Sequence, residues 1–526
     1  MSAIITDQFR IANANNFIES VLNDNNSYYI FLGLSNPGTT SIPVGFGRTS
    51  AWGNTPSSPP SPIDNQQYLS HYRNTALFGK KLNSSNIRRV VRKINWTTNV
   101  RYEMYRHDYS IENLAPISQS ARLYDSNYYV VNSDFKVYIC IYNGSHGDIG
   151  GTSNLNGNTS QDEPTFTDLE PSAAGESGDG YIWKYLFTIS PSDIIKFDST
   201  EYIVLPSDWS TSTNFQIQSV RDSGDSTIND NQIKHVYIED GGGGVYTAGT
   251  YDIKGDGSGA KVNIEVNTSG TIIKTTVVSG GTGYTFGIVD FGHSTTDTIS
   301  NPAKLIPIIP PSRGHGYNIY DELGSDKVLA YSRFDDSTLD FPTDTKFSQV
   351  GIIKNPQNYS STSVYTANTY SSLGAIKLTS NFNDNPTIGD KIEQSTSNGT
   401  IARGYVASYD IETKVLKYYQ DRSLNFANTL DQTDRNDVTS KANIINFESS
   451  ANTISNPAYV ASVDTNFTGI TTTVGSKEIN LGVTFSSGLA SPEINKNTGD
   501  VIYIDNRSIV TRDSRQKEDI KIILEF

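Results

Sequence analysis

The sequence predicts a mainly β protein: a layered antiparallel β-sandwich core with one or two short helices and two all-β insertions. Three observations predict this class. Hydrophobic residues make up only 36% of the 526 residues, and much of the rest is Asn, Ser, Thr, Asp and Gly, which favour turns and loops. Tyr and Phe, with 31 and 21 copies, supply the bulk that strands favour. The apolar segments are short, and several alternate with period two.

The N-terminal part contains one helix followed by strands. NANNFIESVLND (13–24) combines asparagine caps with apolar residues at helical spacing, which predicts a helix. SYYIFLGL (27–34) predicts a buried strand, and the proline-rich segment 53–65 predicts a surface loop. SPSDIIKF (190–197) predicts one helical turn. Further strands are predicted in NIRRVVRKINW (86–96), YYVVN (128–132), FKVYICIYN (135–143), GYIWKYLFTI (180–189) and EYIVLP (201–206).

The residue patterns of two later regions predict insertions. From about residue 232, short β-branched strands alternate with glycine clusters, and GGGGVYT (241–247) and GGTGYT (280–285) look like two copies of one unit. These clusters predict tight turns that need positive φ. Residues 385–419 are a second run of short strands with a hairpin signal at Asn398-Gly399. Residues 420–498 are weakly patterned, and their elements are not predicted.

The most acidic stretch lies in a long polar excursion over residues 143–180. A pair of carboxylates facing each other across a sugar-sized gap would suit a glycosidase. These acids lie instead on a Gly/Ser/Pro loop without an aromatic platform, so solvated loop acids are the favoured interpretation. The acids are Asp162, Glu163, Asp168, Glu170, Glu176 and Asp179.

Other candidate sites are weaker still. KGDGSGA (254–260) resembles a phosphate or calcium loop, but a strand follows it and the closing acid is missing, so a β-turn is predicted. The histidines lack zinc-site spacing, and His315 is predicted to be a turn residue. We therefore expect no catalytic centre, no metal site and no cofactor. The histidines are His71, His107, His146, His235, His293 and His315.

Charge and cysteine content limit the class of partner. The net charge of −15 disfavours nucleic acid and an anionic membrane as partners. One basic stretch remains, and an acidic neighbouring protein or internal carboxylates are its expected partners. The single cysteine, Cys140, lies in an apolar run and is expected to be a buried, inert thiol. The basic residues are Arg88, Arg89, Arg92, Lys93, Arg101 and Arg106.

Membrane and export signals are not visible. The N-terminus MSAIITDQFR lacks the basic region and apolar core of a signal peptide, and no apolar run approaches ~18 residues. We expect a soluble protein made in a reducing compartment.

The C-terminal octapeptide DIKIILEF (519–526) alternates with period two. Ile520, Ile522, Leu524 and Phe526 are predicted to be buried on one face of a strand. Lys521 would then point away from that face. The pattern predicts that the last residues are part of a sheet.

Read in order, the firm segments resemble the baseplate wedge subunit family encoded by gene eight of T-even-type contractile-tailed phages, in its cyanophage-like version. The pair DGYIWKYLFTISP (179–191) and EYIVLP is specific in combination with the C-terminal GDVIYIDNRSIVTRDSRQKEDIKIILEF (499–526). Three N-terminal segments and one central segment follow the same order. They are ITDQFR (5–10), FGRTSAW (46–52), VVRKINWTTNVRY (90–102) and KFSQVGIIKNP (346–356).

The resemblance implies a structural, non-enzymatic protein of the virion tail baseplate. It implies a homodimer within each wedge, contacts with the products of genes six, seven and ten, and a role in the rearrangement that triggers sheath contraction and genome ejection. The expected domain division is a core part at 1–231, a Gly-rich insertion at 232–300, a return to the core at 301–359, a second insertion at 360–490 and core strands at 491–526. The alternative left open is a tail-associated carbohydrate-binding or depolymerising protein, suggested by the Gly-Tyr-Thr units and the acidic loop.

Overall fold

The computed structural model describes residues 4–34, 61–224, 232–244, 246–292, 301–335, 346–397, 401–420, 446–450, 453–456, 459–511 and 516–526. The chain forms two compact units. Unit 1 comprises Met1–Ile18, Arg88–Leu329 and Ile523–Phe526, and unit 2 comprises Glu19–Ile87 and Ala330–Ile522.

Strands dominate the described residues, which also contain five α-helices: α1 Asp7–Leu22, α2 Gln66–Thr75, α3 Pro191–Phe197, α4 Phe215–Gly224 and α5 Ile319–Glu322. The first fifteen strands are β1 Tyr28–Gly33, β2 Ala76–Lys81, β3 Ile87–Arg92, β4 Tyr129–Val131, β5 Lys136–Asn143, β6 His146–Ile149, β7 Thr152–Asn154, β8 Tyr181–Thr188, β9 Tyr202–Val204, β10 Val236–Asp240, β11 Gly249–Gly255, β12 Lys261–Val266, β13 Ile272–Ser279, β14 Gly287–Asp290 and β15 Lys304–Pro307. The remainder are β16 Lys327–Phe334, β17 Lys346–Lys354, β18 Gln357–Asn358, β19 Thr369–Ser371, β20 Gly374–Lys377, β21 Lys391–Ser395, β22 Ile401–Asp410, β23 Val415–Tyr419, β24 Thr453–Asn456, β25 Tyr459–Ser462, β26 Gly469–Val474, β27 Lys477–Phe485, β28 Leu489–Ala490, β29 Ile494–Asn495, β30 Asp500–Thr511 and β31 Glu518–Glu525.

Unit 1 contains three sheets that matter for the candidate site. β4, β5 and β8 form an antiparallel sheet in the order β4-β5-β8. A second sheet has the order β15-β10-β6-β7, in which β10 and β6 are parallel. The third is the sheet of the Gly-rich region, in the order β13-β12-β11-β14. β13 and β14 are therefore its edge strands.

Each of the two Gly-Tyr-Thr units contributes a buried tyrosine to the core of this region. Tyr246 and Tyr284 are both buried in one apolar cluster with residues of β10, β11 and β12. Each phenolic oxygen accepts a backbone N–H, from Ala303 at 2.6 Å and from Ala260 at 3.2 Å respectively. The glycines before each tyrosine adopt positive φ, as at Gly283 (77°), which confirms the predicted turns.

Unit 2 is built on a five-stranded sheet in the order β19-β2-β1-β17-β30 and a seven-stranded sheet in the order β25-β24-β21-β22-β23-β20-β28. All six residues of β1 are buried, which confirms the prediction for residues 27–34. Tyr370 packs flat over Gly79, where a Cβ atom would lie 2.1 Å from the tyrosine ring. β21 and β22 pair up to Ser395 and Ile401, while the predicted turn at 398–399 lies outside the described residues.

The C-terminal octapeptide forms most of β31, an edge strand beside β16. Ile520 and Ile522 are buried, as predicted. Leu524 and Phe526 are only half-buried, so the prediction of full burial is wrong for them because the sheet covers less of the strand towards its end. Phe526 is nevertheless anchored, since its ring lies 5.5 Å from that of Phe17 and its N–H donates to the carbonyl of Asp326.

The mainly β class is confirmed, with 42% strand and 11% helix. The prediction of one or two helices is wrong, because the described residues contain five. α2 and α4 were missed because most of their residues are polar. The predicted turn at 190–197 is the helix α3, in which the Ser190 hydroxyl accepts the N–H of Asp193 at the N-cap. Most of the predicted proline-rich loop at 53–65 lies outside the described residues.

Candidate functional site

The acidic loop is held by hydrogen bonds within the chain. Asp162 accepts the N–H of Ser177, and hydrogen bonds with Ser177 lower the pKa of the Asp162 carboxyl group. Asp179 accepts backbone N–H groups from Gln161 and Tyr181. A carboxylate that accepts backbone donors is occupied in shaping its loop, so these acids are structural.

Two buried lysines tie the apex of this loop to the strands behind it. Lys184, on β8, is fully buried and donates to the carbonyl of Leu169 at 2.7 Å. Lys234 donates to the carboxylate of Glu170 at 2.6 Å. Burial, and then the nearby charge of Lys234, lowers the pKa of Lys184 from 10.5 to about 8. At neutral pH Lys184 is therefore a charged ammonium group in the interior.

This burial predicts that stability rises with pH above 8. Between pH 8 and 10.5 the unfolded chain binds a proton at Lys184 that the folded chain has lost, so the free energy of unfolding increases with pH, by up to about 3 kcal/mol. Replacing the lysine with Met removes this dependence. Chemical denaturation at pH 7.5 and 10.5 should show wild type gaining on Lys184→Met across that interval. The control is the exposed Lys254→Met, whose free energy of unfolding should rise with pH as much as that of wild type. An equal rise in wild type and in both variants would contradict the prediction.

The glycine loop at 254–260 joins β11 to β12, which pair as antiparallel neighbours, so a strand does follow it. The predicted β-turn is not observed, because residues 256–257 form a bend and Ser258 bridges to Thr282. Asp256 accepts the Thr285 hydroxyl and the N–H groups of Thr285 and Phe286, and these bonds lower its pKa to about 2. The carboxylate closes this bend.

The described histidines have separate partners, although His146 and His235 line the same cleft. His235 is half-buried with its ring stacked on Tyr142 at 4.3 Å, and desolvation lowers its pKa to about 3. The Nδ1 atom of His107 accepts the N–H of Ile309 at 3.2 Å. Within the described residues, no group of three or more His, Cys, Asp or Glu could hold a metal ion. His293 and the His71 side chain lie outside the described residues.

His315 lies in a turn, as predicted, and it is also buried. It is only 3% exposed, and its Nδ1 atom lies 2.6 Å from Oε1 of Glu322. Glu322 also accepts the N–H of Gly316, and the ring of Tyr105 meets the imidazole edge-on at 4.7 Å. The glycines around His315 gave no signal of this burial, because the partner carboxylate lies on the short helix α5.

The basic stretch has partners inside unit 1. The expected internal carboxylates are observed for Arg88, Lys93 and Arg106, whereas Arg89, Arg92 and Arg101 contact an aromatic ring or backbone carbonyls. Cys140 is fully buried, as expected, and burial raises its pKa. The basic side chains contact the following groups: Arg88 the Asp193 carboxylate, Arg89 the Tyr320 ring, Arg92 the Ser126 carbonyl, Lys93 the Asp198 carboxylate, Arg101 the Gly157 carbonyl and Arg106 the Asp108 carboxylate.

A cleft of about 500 Å³ opens in unit 1 between the Gly-rich sheet and the sheets behind it. Its walls come from the ends of β5 and β8, from β6 and β10, and from residues 273–277 of β13. Ile149, Ile182 and Ile238 give it an apolar floor, and Lys234 and Lys274 lie at its wall. No sequence motif marked it, because its walls are up to 135 positions apart, from Tyr142 to Val277.

Residues 3–238 match the family described as Bacteriophage T4, Gp8. Over these residues, somewhat under half of the chain, the protein is similar to gene-eight baseplate wedge proteins, and this similarity supports a structural subunit in the tail baseplate of the virion, among other baseplate proteins. The match ends before the central and C-terminal motifs, and no curated protein matches the chain. None of the described helices has the length and apolar character needed to cross a membrane.

Proposed function

We propose that this baseplate wedge protein links neighbouring wedge subunits and transmits the rearrangement that triggers sheath contraction and genome ejection. The family match over residues 3–238 carries this proposal. The anchoring of the C-terminal strand supports it, because a subunit under load needs its ends tied into its sheets. Buried ion pairs and aromatic clusters on irregular segments also favour a rigid scaffold.

The partners are proposed at a finer level than the family match. The chain acts as a homodimer within each wedge and contacts the products of genes six, seven and ten, in a cyanophage-like baseplate. Light scattering of the purified chain tests the first part, with an expected mass twice the chain mass of 57.7 kDa. Cross-linking of assembled baseplates tests the second.

The decisive experiment is assembly without this chain. Infected cells that lack it are expected to accumulate wedge intermediates and no contractile tails, and complementation with the intact gene should restore them. Complete, contractile tails in its absence would contradict the proposed function.

We further propose that the protein is not an enzyme. Four acids of the 162–179 loop, Asp162, Glu163, Glu170 and Asp179, accept hydrogen bonds from within the chain, and Asp168 and Glu176 are exposed, which supports this. Asp168→Ala and Glu176→Ala are therefore expected to leave assembly and stability unchanged, within roughly 0.5 kcal/mol for exposed loop positions. Incubation of the purified protein with host polysaccharide should release no sugar, and hydrolysis lost in either variant would contradict this.

The domain division at 1–231, 232–300, 301–359, 360–490 and 491–526 remains a proposal. The first insertion offers a clean test, because Asp240 of β10 and Lys304 of β15 are paired directly. Replacing residues 241–303 with an Asn-Gly turn would close β10 and β15 as a hairpin. We expect a cooperative melt at a lowered temperature, since Val236 and Leu305 lose part of their apolar cover. Calorimetry checks this, and an unfolded product would show that the insertion is integral.

A further inference from the structure

The hairpin of β26 and β27 in unit 2 is a two-stranded sheet with open edges. Its strands pair from Thr471 and Asn480 to Val474 and Lys477, and no other described strand joins them. Within the described residues, no backbone group of residues 469–474 bonds to anything but β27. A two-stranded sheet is marginally stable in water, and an edge with open N–H and C=O groups is a template for another strand.

The hairpin is fixed to the rest of unit 2 through β27. Leu481, Val483 and Phe485 of that strand are buried in an apolar cluster together with Ala375 of β20 and Val415 of β23. No residue of β26 is buried. β27 therefore holds the hairpin in place, and β26 is left as its open edge.

β26 lacks the charges that normally protect an open edge. Its sequence, GITTTV (469–474), contains no charged residue and no proline. Exposed edge strands usually carry Lys, other charges or Pro, which oppose pairing with another chain. The other described edge strands of five or more residues follow that rule, since β8, β13, β27, β30 and β31 all contain charged residues. The uncharged edge of β26 therefore indicates a strand partner.

The sequence of β26 complements itself. Two antiparallel copies paired about Thr472 place Ile470 of one copy opposite Val474 of the other. Thr471 then lies opposite Thr473, so each pair between 470 and 474 joins two β-branched side chains, which pack well across strands. Two chains of net charge −15 repel each other, and this strand lets them meet without like charges in contact. A second copy of the chain is therefore the occupant that fits this edge.

We propose that β26 of one copy pairs with β26 of a second copy around a two-fold axis at Thr472, so that two hairpins form one four-stranded sheet. The contact is isologous, because each copy contributes the same surface. This inference rests on the homodimer of the proposed function, and it assigns the surface that holds the two copies together.

Cysteine cross-linking of the purified full chain tests the pairing. At the two-fold axis the Cβ atoms of the two copies of residue 472 would lie about 4.5–5.5 Å apart, a distance that a disulfide or a short bis-maleimide can bridge. Cys140 is fully buried, so Thr472→Cys supplies the accessible thiol.

We expect Thr472→Cys to form a covalent dimer on mild oxidation or with the bis-maleimide. Thr484→Cys, at an exposed position of β27, is the matched control. It should form at least about tenfold less dimer, because its thiols are not held at high effective concentration. Equal cross-linking of the two variants, or none in Thr472→Cys, would overturn the proposal.

A charge exchange tests the two-fold axis. Thr472→Lys and Thr472→Asp each place like charges directly opposite each other, which destabilises the pair. By analytical ultracentrifugation, each variant alone should dimerise at least about tenfold more weakly than wild type. An equal mixture of the two should recover dimers with one chain of each kind, which also excludes misfolding as the cause. Thr484→Lys should dimerise like wild type.

Three outcomes of this exchange would overturn the proposal: a monomeric wild type, unweakened dimers of either variant alone, or no recovery in the mixture. Assembled tails separate the inference from the proposed function. Tails that contain Thr472→Cys should yield the covalent dimer on oxidation. Complete tails without that dimer would overturn the pairing of β26 and leave the wedge function standing, whereas failure of the wild-type chain to enter tails would contradict the function itself.

Discussion

Ile522→Asp is expected to prevent the chain from folding to a soluble, cooperatively melting protein. Ile522 is 2% exposed in β31. Losing its burial costs roughly 1.5–3 kcal/mol, and placing an unpaired carboxylate there adds several kcal/mol more. Against a typical stability of ~5–15 kcal/mol, that sum removes most of the free energy of unfolding.

Lys521→Ala is the matched control at the adjacent position. Lys521 is half-exposed, and a substitution at such a position typically costs less than about 1 kcal/mol. Soluble yield and melting temperature of both variants beside wild type provide the measurement. Two variants that behave alike would mean that the C-terminal strand is not part of the core.

The C-terminal strand also shows what a local pattern can predict. Period-two alternation correctly placed Ile520 and Ile522 inside, because the side chains of a strand must alternate between its faces. It overestimated the burial of Leu524 and Phe526. The degree of burial depends on how much of the neighbouring layer covers the strand, and that layer comes from distant parts of the chain.

The helices missed by sequence have a different cause. α2 reads QQYLSHYRNT, in which polar residues outnumber apolar ones, so its low overall hydrophobicity concealed the helical spacing of Leu69 and Tyr72. The proline-rich segment before it also indicated a loop. Strands such as β5 and β8 were found because β-branched and aromatic side chains are concentrated in short runs.

The buried charged groups left no signal in the sequence. His315 and Glu322 are seven positions apart across a Gly-rich loop, and Lys184 lies within a strand that reads as uniformly apolar and aromatic. The cleft was equally invisible, since its two edges belong to strands separated by an entire β-meander. Composition disfavoured nucleic acid as a main partner, but it could not show which side chains converge on the cleft.

Glu103 shows this most clearly, and its replacement should have the second largest effect. It is fully buried, in the irregular segment before the loop that follows residue 106. Its Oε1 atom accepts the N–H of Ile117 at 3.1 Å and both the N–H and hydroxyl of Ser118, at 2.7 and 2.8 Å. Its Oε2 atom accepts the N–H of Asn127 at 2.6 Å. One carboxylate therefore satisfies three backbone donors of a loop that has little regular structure.

Glu103→Ala is expected to destabilise the protein by about 4–6 kcal/mol, because each buried N–H group left without an acceptor costs ~1–3 kcal/mol. Glu103→Gln keeps one oxygen for the Ser118 side but turns an NH₂ group towards the N–H of Asn127, so its loss should be about half as large. Glu112→Ala, at an exposed glutamate of the same loop, is the control and should cost less than about 0.5 kcal/mol. Denaturant titration measures all three. Hydrogen exchange should become faster at Ile117 and Ser118 in the Ala variant only, and at Asn127 in both the Ala and the Gln variants. A Glu103→Ala chain as stable as Glu112→Ala would mean that water replaces the carboxylate without loss, and the loop would then owe its shape to other contacts.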